Sequence, residues 1–194
     1  MALSTPLPAE QVGCATSRVM VVDQNGNPVG TSAGATRRTY RGAISVTLAA
    51  LATDFFDIFG SAASTVVVRK LRVNGVQTAA GKPEVHAIKR GAASTGGTAV
   101  AMTAVPLDSA SAAAGAAPNG YSANRSALGA AVGTIARRYV PLTPAATAFA
   151  DGTEFDFGPA GVTLRGIAEG LALNLGGVTV TGGVVDIEAE WEEF

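Results

Sequence analysis

His86 and Cys14 are the chain's only imidazole and only thiol, and nucleophilic catalysis needs a nucleophile, a base and a group that orients the base. His86 sits inside Glu84–Arg90, which reads as a strand, so a structural or surface role is its plainer reading. Cys14 lies in a polar N-terminal stretch and reads as inert. With the two 72 positions apart and no companions, a zinc site of His and Cys is not expected. The densest acids are Glu188, Glu190, Glu192 and Glu193, oxygens of the kind a calcium ion uses. Alternating acids on a terminal strand read more simply as a solvated face, one that also blunts an exposed sheet edge against pairing. Asp54 and Asp57 are three apart, so on a regular strand they face opposite sides and cannot act as a pair. Glycosidase chemistry needs two carboxylates converging across a cleft, and no local spacing suggests it. Thr95-Gly96-Gly97 lacks the lysine and following helix of a phosphate loop and reads as a turn. No catalytic residue, metal or cofactor is assigned, and the expectation is a protein that is not an enzyme.

Two clusters mix basic and aromatic residues: Arg37-Arg38 with Tyr40 and Arg41, and Arg137-Arg138 with Tyr139. Such clusters occur at nucleic-acid surfaces, but Arg and Tyr are equally favoured at protein contacts. The formal charge of −1, from 14 basic and 15 acidic residues, provides no global pull on phosphates or anionic lipid. The interface reading is therefore preferred, with neither nucleic acid nor membrane as partner. Asn124-Arg125-Ser126 matches a glycosylation acceptor, a chance match if the chain is not secreted.

The elements that must carry these residues are strands. In Val185-Asp186-Ile187-Glu188-Ala189-Glu190-Trp191-Glu192 apolar residues take every second position, which sends Val185, Ile187, Ala189 and Trp191 inward and the acids into water. Ile44, Val46 and Leu48 alternate in the same way with Ser45, Thr47 and Ala49. Further strands are expected at Asp54–Phe59, Thr65–Val73, Glu84–Arg90, Thr98–Val105, Gly133–Tyr139, Glu154–Phe157, Val162–Leu164 and Leu171–Leu175. Asn74-Gly75 is the best two-residue hairpin signal in the chain, although a longer loop to Glu84 fits as well. Ser109–Ala117 is alanine-rich but bracketed by Gly115 and Pro118, and reads as strand or loop.

With 24 Gly and nine Pro, turns recur at the spacing of an all-β sandwich. The apolar share of 47% leans on Ala and Val, and only 6% is aromatic, so the core should be thin. The expected fold is an all-β antiparallel β-sandwich, jelly-roll-like, over residues 37–194. Residues 1–36 read as an extended arm, rich in Ser, Thr, Pro, Ala and Gly, whose apolar knot is Val19-Met20-Val21-Val22. The Asn25-Gly26-Asn27-Pro28 turn follows it. Such an arm can order by adding a strand to a neighbour's sheet edge. The expected interface residues are Val19, Met20, Val21, Val22, Arg37, Arg38 and Tyr40. The first residues lack a positive n-region and a long apolar run, and no stretch reaches 18 apolar residues. A soluble protein made in a reducing cytoplasm is the expectation.

Ala52-Thr53-Asp54-Phe55-Phe56 with Ile58 and Gly60, Val85–Arg90 followed by Thr95-Gly96-Gly97-Thr98, Ala104–Ser109 and the closing Asp186–Glu192 strand together resemble virion structural proteins of tailed bacteriophages. The arm motif Val21–Val29 is similar to segments at the start of phage surface proteins. The resemblance implies a β-sandwich or jelly-roll domain on a virion, with no catalytic residues to carry over. The motifs do not fix the part of the virion; a capsid decoration or cement protein, assembled in the host cytoplasm, is the role that fits a compact domain with an arm. Its partners would be other virion proteins, the major capsid protein above all, and further copies of itself as a dimer or trimer. A tail, collar or fibre component with a carbohydrate- or receptor-binding sandwich is the alternative, with Tyr40, Tyr121 and Tyr139 as the aromatics free to stack on sugars.

Overall fold

The period-two pattern of Val184–Glu193 forms the centre of a sheet. This strand, β12, is flanked on one side by β1 (Arg38–Thr47) over ten residue pairs, and on the other by β3 (Val66–Val76). The structure, a computed structural model, describes residues 37–49, 53–145, 152–176 and 178–194. Tyr40 lies directly opposite Trp191 in the β1–β12 ladder. The two rings stack with centroids 5.7 Å apart, a contact adding roughly 0.5–1.5 kcal/mol beyond area burial.

Among the described residues there are twelve strands in two antiparallel six-stranded sheets that pack as a sandwich. The first sheet runs β10 (Val162–Leu164), β3, β12, β1, β6 (Val105–Pro106), with β9 (Thr153–Asp156) also on β3. The second runs β5 (Ala99–Ala101), β7 (Asn119–Tyr121), β2 (Asp54–Phe59), β11 (Gly170–Asn174), β4 (Glu84–Arg90), β8 (Ala131–Tyr139). Phe55, Phe56, Ile58, Leu171 and Leu173 of the second sheet and Val46, Leu71, Ile187 and Trp191 of the first fill the space between them. Each such apolar side chain withdrawn from water contributes roughly 1.5–3 kcal/mol.

Four local expectations are corrected. Asn74-Gly75 is not a hairpin: β3 continues through it, with Asn74 opposite Asp186 and Gly75 opposite Val185, and the chain then loops to Glu84. The long ladder to β12 outweighs the local turn preference, and glycine is needed for close approach, since a Cβ there would lie 2.3 Å from the Val184 carbonyl oxygen. Thr98–Val105 is not one strand, because β5 joins the second sheet and β6 the first. The last strand is interior to its sheet, so its acids guard no edge. Finally, Glu192 and Glu193 are buried (2% and 1% exposed), whereas Asp186 and Glu188 face water as expected.

Candidate functional site

Two acids in an otherwise apolar strand require buried partners, and β2 supplies them on the outer face of the second sheet. Phe56 pairs with Leu173 but Asp54 with Asn174, so Phe55 is an extra, bulged residue. Because a bulge resets the alternation of side chains, Asp54 and Asp57 fall opposite Asn174 and Ala172, two residues apart on β11 and therefore on one face. The expectation that these acids face opposite sides is overturned by this single extra residue.

Asp54 accepts from Arg90 Nη2 at 2.6 Å and Nε at 2.9 Å, from Asn174 Nδ2 at 2.7 Å and from Ser94 Oγ at 3.1 Å. The third Arg90 nitrogen, Nη1, donates to the Gly129 carbonyl at 2.8 Å. Asp57 accepts from the Tyr121 hydroxyl at 3.1 Å and lies 3.3 Å from Arg125 Nη2. The Arg125 guanidinium also stacks 3.9 Å over the Tyr121 ring and donates to the carbonyls of Ser94 and Gly96. Ser94–Gly97 and Ser122–Gly129 thus roof the acids, zipped together by Thr95 N–H to the Ala127 carbonyl at 2.9 Å. Gly96 and Gly97 turn the roof with φ of 72° and 79°, angles that glycine adopts without strain. The expected turn is there.

Burial pushes the Asp57 carboxyl up to about 6, against the pull of Arg125 and the Tyr121 hydrogen bond. Burial also raises the Tyr121 hydroxyl, to about 12, so it stays a neutral donor. Thr53 Oγ1, Asp57 Oδ2 and Arg125 Nε are buried without hydrogen-bond partners. The side chains of Asp54, Asp57, Arg90 and Arg125 are 0–8% exposed. They form an internal latch of charge that fastens the roof loops to the sheet.

The end of β12 holds a second latch. Pairing slips at Arg69, which is the extra residue of a bulge in β3 between the Glu190–Lys70 and Trp191–Val68 pairs. Arg69 reaches Glu192 at 2.5 Å, and Arg37 bonds the same carboxylate. Glu193 accepts from the amides of Gly115 and Ala116 at 2.9 Å each, from Ser64 Oγ at 3.0 Å and from Trp191 Nε1 at 3.1 Å. Burial pushes both carboxyls up, but these donors outweigh it and hold Glu192 and Glu193 below the usual carboxylate range. Glu193 thereby ties the alanine-rich Ser109–Ala117 segment, which is loop, to the core.

Outward-facing charges are also paired. On the first sheet Arg41 meets Glu190 at 2.8 Å, Lys70 meets Glu154 at 3.2 Å and Asp156 at 3.3 Å, and Arg72 lies 4.0 Å from Glu188. All of these but Asp156 line a shallow depression of about 390 Å³. The second sheet ends differently. Its edge strand β8 is exposed at every residue but Ala136, with Val132, Ile135 and Tyr139 at 68%, 45% and 66%. An open groove of about 480 Å³ runs beside it, walled by Ile135, Arg137, Arg138, Asp156, Phe157 and Val162.

Of the expected interface residues, Val19, Met20, Val21 and Val22 lie outside the described residues, as does Cys14. Arg37 is exposed but engaged with Glu192, and Arg38 opens the ladder opposite Glu193. Tyr40 is withdrawn from that set: it is fully buried, and its hydroxyl donates to the Ala112 carbonyl at 2.8 Å. Tyr121, buried against Asp57, is likewise withdrawn from the sugar-stacking set, which leaves Tyr139. His86 Nε2 sits 2.8 Å from Glu84 Oε2, and Asn124 Oδ1 accepts from Thr53 N–H at 3.4 Å. Sequence reasoning recognised Arg137, Arg138 and Tyr139 but not Val132 and Ile135 beside them. Their spacing of three, out of step with a regular strand, was the available signal.

No family model, curated protein or solved structure matches this chain.

Proposed function

We propose that the protein is a structural component of a tailed-bacteriophage virion, a capsid decoration (cement) protein that binds and stabilises the head shell through protein–protein contacts. The observation that carries the reading is strand β8: an edge exposed on both faces, apolar at Val132, Ile135 and Tyr139, on a body whose buried acids are already engaged by its own arginines and amides. Such an edge offers backbone groups and apolar surface together, the combination that binds extended protein segments. The sequence likeness to phage virion proteins supports the same role. Residues 1–36 serve as the attaching arm, and the sandwich associates with copies of itself on the shell.

The test is binding to heads of the encoding phage prepared without this protein. The full chain saturates them at a fixed ratio to the capsid protein and raises their resistance to heat. A chain lacking residues 1–36 stays folded but loses attachment. Equal binding by the shortened chain refutes the arm, and no binding by either refutes the head role. Tyr139, exposed beside Arg137 and Arg138, favours the tail or fibre alternative with a carbohydrate ligand. Glycan binding abolished by Tyr139→Ala would establish that reading instead.

A further inference from the structure

We propose that the roof over Asp57 is a proton-gated lid: its tip, Thr95–Thr98 with Ser122–Ala127, lies shut while Asp57 holds a proton and lifts as that acid ionises, the sandwich staying folded. The two carboxylates beneath the roof are unequally served. Asp54 accepts from Arg90 Nε and Nη2, Asn174 Nδ2 and Ser94 Oγ. Asp57 is buried as deeply, yet among the described residues it accepts from the neutral Tyr121 hydroxyl alone, and its Oδ2 has no hydrogen-bond partner. Arg125 lies 3.3 Å from that oxygen, but its hydrogen bonds go to the carbonyls of Ser94 and Gly96. Burying an ion short of donors costs more than burying the neutral acid. Of the two acids, Asp57 is therefore the one that keeps a proton under the closed roof.

The surrounding charges leave that order in place. Asp54, on the same strand, is bound by Arg90 of β4, and Arg125 pulls against burial without overcoming it. Further along β4, His86 and Glu84 bond each other, and Lys89 reaches Thr163 and Glu169. β11 and β5 carry no charged residue. The roof is also held unevenly. At its root Arg90 Nη1 donates to the Gly129 carbonyl, Ser94 Oγ links Asp54 to the Gly129 amide, and Gly91 N–H donates to the Ala130 carbonyl at 2.8 Å. None of the tip residues is buried. Bonds between the loops hold them, Thr95 N–H to the Ala127 carbonyl, Ser126 N–H to that of Thr95 and Ser122 N–H to that of Thr98. Gly96 and Gly97, both at positive φ, supply a pivot. Lifting the tip carries Arg125 away and admits water to Asp57 Oδ2 and Arg125 Nε, the buried atoms that the closed roof leaves unpaired, which offsets the loop bonds lost. Segments with so little buried surface open well below the global unfolding free energy.

The lid stands independently of the virion role. Amide hydrogen exchange of the full-length protein is followed residue by residue by NMR from about pH 5 to about pH 7, each rate divided by its intrinsic base-catalysed value. The Thr95, Ser122 and Ser126 amides should exchange faster than those of Gly91 at the root and Ile187 in the core. Their opening constant should rise roughly tenfold over the interval, because a carboxyl near 6 under the roof and near 3.8 in water releases a proton on opening. Asp57→Asn keeps a neutral group there at every pH and should abolish the rise. Imidazoles titrate in the same interval, so His86→Gln is the control and should leave the rise intact. If Asp57→Asn does not fold, Tyr121→Phe removes the donor that favours the ionised form and should move the rise to higher pH. Tip amides that exchange only together with Ile187 overturn the lid. An opening that grows as pH falls would assign the closure to the Arg125–Asp57 ion pair and overturn the proton gate, as would a rise indifferent to both variants.

Discussion

Asp54 and Arg90, 36 positions apart, face each other through two parallel hydrogen bonds of 2.6 and 2.9 Å, with side chains 0% and 5% exposed. The pair joins β2 to β4 across the intervening β11, whose Asn174 donates to the same carboxylate. A charge this deep is costly unless its polar atoms are paired.

Arg90→Ala therefore leaves an uncompensated buried carboxylate, and urea denaturation should show a loss of about 3–5 kcal/mol. Arg90→Lys recovers only part of this, because an ammonium cannot reproduce the two-pronged fork. Arg41→Ala removes an exposed pair and should change stability by no more than about 1 kcal/mol. Equal effects at Arg90 and Arg41 would contradict the latch.

Asp57 imposes a pH dependence of unusual sign. Its folded-state carboxyl lies near 6, above its ordinary 3.8, so the folded chain holds a proton that the unfolded chain has released between those values. This contribution to stability is full below about 3.8 and is lost as pH rises through 6, a swing on the order of 3 kcal/mol. In Asp57→Asn the 4–6 window should flatten when unfolding free energy is plotted against pH. An unchanged slope in the variant would assign the dependence to another group.

Glu193 acts in the opposite direction. Its carboxyl is held below the ordinary 4.5, so its contribution is full above 4.5 and is lost as pH falls through the lower folded value. Glu193→Gln replaces an acceptor that the Gly115 and Ala116 amides share with an amide group that turns one donor towards them. A loss of roughly 2–3 kcal/mol is expected. Hydrogen exchange should show the Gly115 and Ala116 amides losing protection first. Protection unchanged at those two sites would contradict the clamp.

Gly75→Ala separates an interior strand position from a hairpin. At a hairpin turn alanine would disturb only the local turn, but here its Cβ meets the Val184 carbonyl at 2.3 Å and Val185 Cα at 2.8 Å. Backbone cannot move aside as a flexible side chain can, so a loss of about 1–3 kcal/mol is expected, read as a lower midpoint in thermal unfolding. A neutral result would mean that β3 and β12 separate there without penalty.

Alternation along β1 and β12, the turn chemistry of the Gly-rich segments and the strand bounds at Asp54–Phe59 and Glu84–Arg90 were legible from the chain alone, because each depends on neighbours within a few residues. An antiparallel sandwich with Trp191 inside follows from that local information. Which strand lies beside which was decided in three dimensions. Asn74-Gly75 became strand because β12 pairs along it, and Asp54 joined Asp57 on one face because β11 forces a bulge at Phe55. Glu192 and Glu193 went inside because Arg69, Arg37 and the Gly115–Ala116 amides come from distant segments to receive them. Burial of a charge depends on partners brought together by topology, and period-two patterning carries no record of those partners.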